Sequence, residues 1–191
     1  MNQPNQNLPK GTLKIATTDL VLMALFASLG LATKNVIHPL VAAITGPLYV
    51  PTGAVAGGLY MMWPVMAFGL VRKIGAASMV SITQAFISLL LPIGNFGLLS
   101  FVIYLAPGLA IDAFFLVSKH KACCSACCIG AAAIANVVGT ISVGALVLFL
   151  PLGVLSFLGV VAAISGCIGG FIANMLLFRV GKIGFGGKKL E

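Results

Sequence analysis

The sequence predicts an all-α integral membrane protein of six transmembrane helices, with both termini in the cytoplasm. Three observations lead there. The 191 residues are 60% hydrophobic and only 7% charged, with a mean hydropathy of +1.15, where a soluble domain carries about a quarter charged residues. Long apolar runs alternate with short breaks, and most of the runs approach the roughly 20 residues that a hydrocarbon layer of about 30 Å asks of a helix. Finally, with the N-terminus inside, ten of the eleven basic residues fall on the cytoplasmic side: Lys10, Lys14, Arg72, Lys73, Lys119, Lys121, Arg179, Lys182, Lys188 and Lys189. Lys34 alone falls outside, a strong positive-inside pattern.

The elements follow in order. Residues 1–16, "MNQPNQNLPKGTLKIA", form a polar cytoplasmic segment. They lack the apolar stretch and small-residue cleavage site of a signal peptide, so no processing is expected. Helices are read at about 17–33, 53–71, 74–91, 98–118, 123–149 and 155–178, making one membrane domain over 17–178 with a basic tail at 179–191. "NVIHPLVAAITGPLYVPTGAVAGG", residues 35–58, is too apolar for an ordinary loop and is broken by Pro39, Gly46, Pro47 and Pro51. Residues 34–52 are therefore expected to form a lid-like loop, apolar enough to seal a site and kinked enough to fold over it. Non-helical backbone at membrane depth is tolerated where it lines a cavity.

Several function classes drop out. The net charge of +8 is spread over helix ends, with no basic stripe carrying interleaved aromatics, so nucleic-acid binding is set aside. There is no phosphate-binding glycine loop and no HExxH, and only Asp19, Asp112 and Glu191 are acidic. An enzyme would have to work through Asp112, two turns from the end of helix 4. A carboxylate inside a span normally has a partner or a purpose. An ion pair with Lys119, Arg72 or Lys73 is the first reading, and a part in coupling or substrate binding is the other. "ACCSACC" places Cys123, Cys124, Cys127 and Cys128 in one cluster. Zinc usually needs two separated knuckles, and a cytoplasmic address disfavours stable disulfides, so these cysteines are read first as packing residues, with a metal or redox site as the other reading. No metal, cofactor or catalytic residue is assigned.

Polar and aromatic residues gather toward the outer leaflet. Lys34, Asn35, His38, Tyr49, Asn95 and Tyr104 lie on the outer side, and Tyr60, Trp63, Gln84 and Asn136 within the membrane. Singly, each has an ordinary explanation as an interfacial aromatic or an interhelical hydrogen bond. Together they outline a substrate pocket open to the outside. On helix 1, Ala24, Ser28 and Ala32 recur every four residues. Such a small-residue stripe lets another helix approach closely, as do the pairs Gly53/Gly57 and Gly166/Gly170, which are read as internal packing.

At this point the chain resembles a known family. "ATKNVIHPLVAAITGPLYVPTGAVAGGLYMMW" followed by "RKIGAASMVSITQAF", with the six spans and the alanine-rich first helix, is similar to the substrate-binding S components of energy-coupling-factor (ECF) transporters. Within them it resembles the YkoE-type branch, associated with thiamine and its hydroxymethylpyrimidine precursor. The resemblance implies a prokaryotic cell-membrane protein that takes a vitamin or precursor from outside, beneath the loop joining helices 1 and 2. It implies docking through Ala24, Ser28 and Ala32 to a transmembrane coupling (T) subunit that is driven by two ATPase subunits. One departure bears on the cargo: where that branch offers an acidic residue on helix 3, this chain has Gln84. A neutral aromatic or weakly polar cargo is then expected, bonded by Gln84, Asn95 or Asn136 and stacked on Trp63, Tyr60 or Tyr104. Lys34 would also admit a carboxylate or phosphate. The alternatives are a structural subunit of a membrane complex that binds no ligand, and a small intramembrane enzyme using Asp112.

Overall fold

The structure, a computed structural model, describes residues 15–46, 50–90, 97–118 and 125–182. Among them are six helices: α1 (Thr17–Thr45), α2 (Thr52–Val71), α3 (Ala76–Leu90), α4 (Leu99–Val117), α5 (Ser125–Leu146) and α6 (Leu152–Lys182). Five are long and apolar enough to cross a membrane, and α3 is a shorter apolar helix of 15 residues. The chain is a multi-pass membrane protein. Outward-facing side chains are what lipid requires: on α6, Phe157, Ile164, Phe171 and Phe178 form an exposed stripe of one residue every two turns.

Successive helices run up and down. The end of α2 meets the start of α1 through a Lys73–Asp19 ion pair of 2.5 Å. The end of α6 meets the start of α5, where Asn174 Nδ2 donates to Ser125 Oγ at 2.7 Å. α2 lies at the centre and touches all five other helices. Its small residues make this possible: Gly58 N donates to Ser165 Oγ at 3.2 Å, and that hydroxyl donates to Val55 O. The aromatic core sits toward the ion-paired end, where Phe68 and Phe115 stack with centroids 4.1 Å apart. Gly166 and Gly170 lie against α5 backbone, the internal packing the sequence suggested.

The stretch read as a lid is mostly helix. Residues 34–45 continue α1 through Pro39, and the connector shrinks to residues 46–51, of which 47–49 lie outside the described residues. Proline removes one backbone donor and crowds the preceding turn. Stopping the helix there, however, would free several backbone groups at once. Thr45 Oγ1 also bonds back to Val41 O at 2.9 Å, keeping the last turn closed. At 29 residues, α1 is about 43 Å long, more than a ~30 Å hydrocarbon layer needs.

Asp112 is not ion-paired among the described residues. It is 6% exposed, and its Oδ2 accepts from Ser78 N at 2.8 Å and from the Ser78 hydroxyl. Ser78 lies in the first turn of α3, so Asp112 caps that helix from a neighbouring one, where the free N–H groups and helix dipole favour a negative charge. Lys73, one partner expected for it, instead holds Asp19. We expect Asp112→Ala to destabilise the fold by about 1–2 kcal/mol, the usual cost of a lost cap. Thermal unfolding in detergent measures this, and an unchanged transition would argue against the cap. Cys127 also departs from expectation: it is disulfide-bonded. Cys123 and Cys124 lie outside the described residues, and Cys128 is buried.

Candidate functional site

A cavity of about 260 Å³ opens at the end of the bundle opposite the Lys73–Asp19 pair. Five helices build it, each presenting residues three or four apart, the spacing that puts side chains on one helix face. These are Gly30, Lys34 and His38 of α1; Gly53, Gly57, Tyr60 and Met61 of α2; Ser81 and Gln84 of α3; Ile103, Tyr104 and Pro107 of α4; and Asn136, Gly139, Thr140 and Val143 of α5.

Two amides are held in fixed orientation. Asn136 is 2% exposed and donates through Nδ2 to Ala162 O at 2.8 Å and to Ala54 O at 3.5 Å, tying α5 to α6 and α2. Its Oδ1 lies over Gly57, where a built Cβ would stand 1.9 Å away. Gln84 donates to Ala27 O at 3.5 Å and lies over Gly30, where a Cβ would stand 2.2 Å from its Nε2. Glycine at 30 and 57 is thus what lets the two amides into the cavity wall. On the far side, Lys34 Nζ donates to Tyr104 Oη at 2.5 Å and lies 4.4 Å from that ring's centroid.

Two further hydroxyls, Tyr60 Oη and Thr140 Oγ1, are buried there with no hydrogen-bond partner. Buried polar groups are rarely left so, because desolvation without a hydrogen bond costs roughly 1–3 kcal/mol. Walls of Met61, Ile103 and Pro107 complete a mostly apolar chamber with a few convergent polar groups, the general form of a small-molecule site.

Of the ten residues the sequence nominated, Lys34, His38, Tyr60, Gln84, Tyr104 and Asn136 line this cavity. Trp63 does not: its Nε1 donates to Thr33 Oγ1 at 2.9 Å and its ring tilts against Phe26. Asn35 is exposed on α1 outside the cavity, and Tyr49 and Asn95 lie outside the described residues. Thr140 was missed, although it stands one turn beyond Asn136 on the same helix face. Away from the cavity, Ala24, Ser28 and Ala32 are all exposed on α1, and the Ser28 hydroxyl is satisfied by Ala24 O at 2.9 Å.

Residues 18–138, well over half of the chain, match the family described as ABC-type cobalt transport system, permease component. The chain belongs to that family. A solved S-component of an ECF transporter shares the fold of this permease-component family member, with a TM-score of 0.71 over 88% of this chain and 87% of that one. The two are 22% identical. Among curated proteins, no sequence matches this one.

Proposed function

We propose that the chain is the substrate-binding S component of an ECF transporter and takes a small organic cargo, a vitamin or vitamin precursor, from outside the cell. The observation that carries this reading is the cavity, whose wall holds two oriented amides, the hydroxyl-bearing side chains of Tyr60, Ser81, Tyr104 and Thr140, and Lys34. The shared fold supports it. The positive-inside pattern puts the Lys73–Asp19 end in the cytoplasm and the cavity toward the exterior. The ten-residue site of the sequence reading narrows on this view to Lys34, His38, Tyr60, Gln84, Tyr104 and Asn136, with Thr140 added. The thiamine-precursor branch remains one candidate for the cargo.

The family's description raises cobalt as a second cargo. Cobalt(II) is bound by imidazole, carboxylate and thiolate donors. Among the described residues no three His, Cys, Asp or Glu side chains converge, and His38 is the one imidazole at the cavity. The donor set of amides, hydroxyls and an ammonium suits an organic molecule better.

Energy would come from partners, a T subunit and two ATPase subunits, and no catalytic role is assigned to this chain. The exposed stripe Ala24, Ser28 and Ala32 is the proposed contact with the T subunit, since small residues allow close helix approach where lipid offers no hydrophobic drive. In cells carrying the full transporter, Ala24→Leu/Ser28→Leu is expected to cut uptake at least tenfold, while the purified variant binds cargo as tightly as the wild type. Uptake unaffected by these leucines would place the docking surface elsewhere. A loss of binding as well would mean that the stripe serves the fold.

A further inference from the structure

We propose that the cavity selects a small organic anion, a molecule bearing one carboxylate or phosphate group, and that Lys34 holds the anionic group. This rests on the binding-subunit reading above and names the chemical class of its cargo.

The first support is the charge around the cavity. Lys34 is a cation in its wall, and among the described residues no carboxylate lines it. Asp19 is engaged with Lys73 at the other end of the bundle, and Asp112 caps α3. A fixed cation entering here would face like charge with no acid to offset it, whereas an anion would find its counter-charge. A charge in a low-dielectric site needs such pairing to be tolerated.

The second is where Lys34 points. Lysines near the ends of membrane helices usually reach outward to the headgroups. This one reaches across the cavity, its Nζ 2.5 Å from Tyr104 Oη and 4.4 Å from the ring centroid. The ammonium keeps two further N–H donors for a ligand oxygen. Third, Tyr60 Oη and Thr140 Oγ1 stand buried without partners in the same chamber, where a ligand's acceptors would satisfy them. The volume of about 260 Å³ equals roughly nine water molecules at ~30 Å³ each, enough for a molecule of one or two rings.

The test identifies, by mass spectrometry, the small molecules released on denaturing the detergent-purified protein. It compares wild type, Lys34→Arg and Lys34→Met, each checked by gel filtration. Thermal shifts are read in parallel with nicotinate, nicotinamide and 1-methylnicotinamide, and with pyridoxine and pyridoxine 5′-phosphate, series that vary charge on one ring. The expected result is a stoichiometric acid in the wild type, kept in Lys34→Arg. In Lys34→Met it should be depleted about ten- to a hundredfold, the worth of one charge-assisted hydrogen bond. Phosphatase treatment of the extract separates a phosphate ester, which loses its phosphate, from a carboxylate, which does not change. A fixed cation in the wild type, or a neutral molecule whose occupancy Lys34→Met leaves unchanged, overturns the inference and leaves the binding subunit standing. No released molecule and no shift with any probe sinks both. The charge class of the wild-type cargo decides the matter even where Lys34→Met fails to fold.

Discussion

Replacing Gly58 by alanine is expected to lower the thermal transition of the detergent-solubilised protein by the equivalent of about 2–3 kcal/mol. The same change at Gly159 is expected to be neutral or to stabilise by up to about 1 kcal/mol. The chemistry is identical and only the surroundings differ. A Cβ on Gly58 would stand 1.9 Å from the backbone oxygen of Ser165, and one on Gly169 would stand 1.9 Å from the Gly58 oxygen. These are two backbones in contact, with no flexible side chain to give way, so α2 and α6 must separate. Separation would also stretch the Ser165 bonds to Gly58 N and Val55 O. Nothing lies within 4 Å of a Cβ on Gly159, where alanine brings only its better helix propensity. Equal transitions for the two variants would show that the α2–α6 contact is not as close as described.

The second large effect is expected at Asn136. Leucine there keeps the approximate shape and removes every polar atom. We expect cargo occupancy to fall at least a hundredfold, equivalent to about 2.8 kcal/mol. The fold should lose no more than about 2 kcal/mol, because interhelical hydrogen bonds in membranes average well under that. The two readouts separate because Ala54 and Ala162 lie within helices α2 and α6, whereas the cavity loses a fixed amide. Trp63→Phe is the control: its side chain lies outside the cavity, bonded to Thr33 and packed on Phe26, so binding should survive. Bound metabolite per mole of protein measures both. Full occupancy in Asn136→Leu, or its loss in Trp63→Phe, would move the site.

Much of this fold was legible as one-dimensional pattern. Five of the six helices, α2 to α6, end within a few residues of where apolar run length and its interruptions put them, since the bilayer demands internally bonded backbone of a set length. The first helix was misread at Pro39 because proline usually ends helices, whereas here the helix runs on to Thr45, whose hydroxyl closes the last turn on Val41 O. Gln84 and Asn136 were legible as candidates, since amides at membrane depth need a reason to be there. Trp63 was not separable from Tyr60: both are aromatic, three residues apart on α2, and only the packing of α1 puts Trp63 against Thr33 while Tyr60 faces the cavity.

By itself, then, the sequence determined that the chain is helical and lies in a membrane. Each of these follows from composition and local period, and the bilayer reads those directly. The tertiary structure alone decided which polar groups meet. Gly30 and Gly57 admit Gln84 and Asn136, Lys34 crosses to Tyr104, and Asp112 serves α3 rather than a lysine. The physical reason is that these pairings lie 34 to 79 positions apart in sequence (Ser78 to Asp112, and Gly57 to Asn136). At such separations, helix packing at close range decides what a side chain touches.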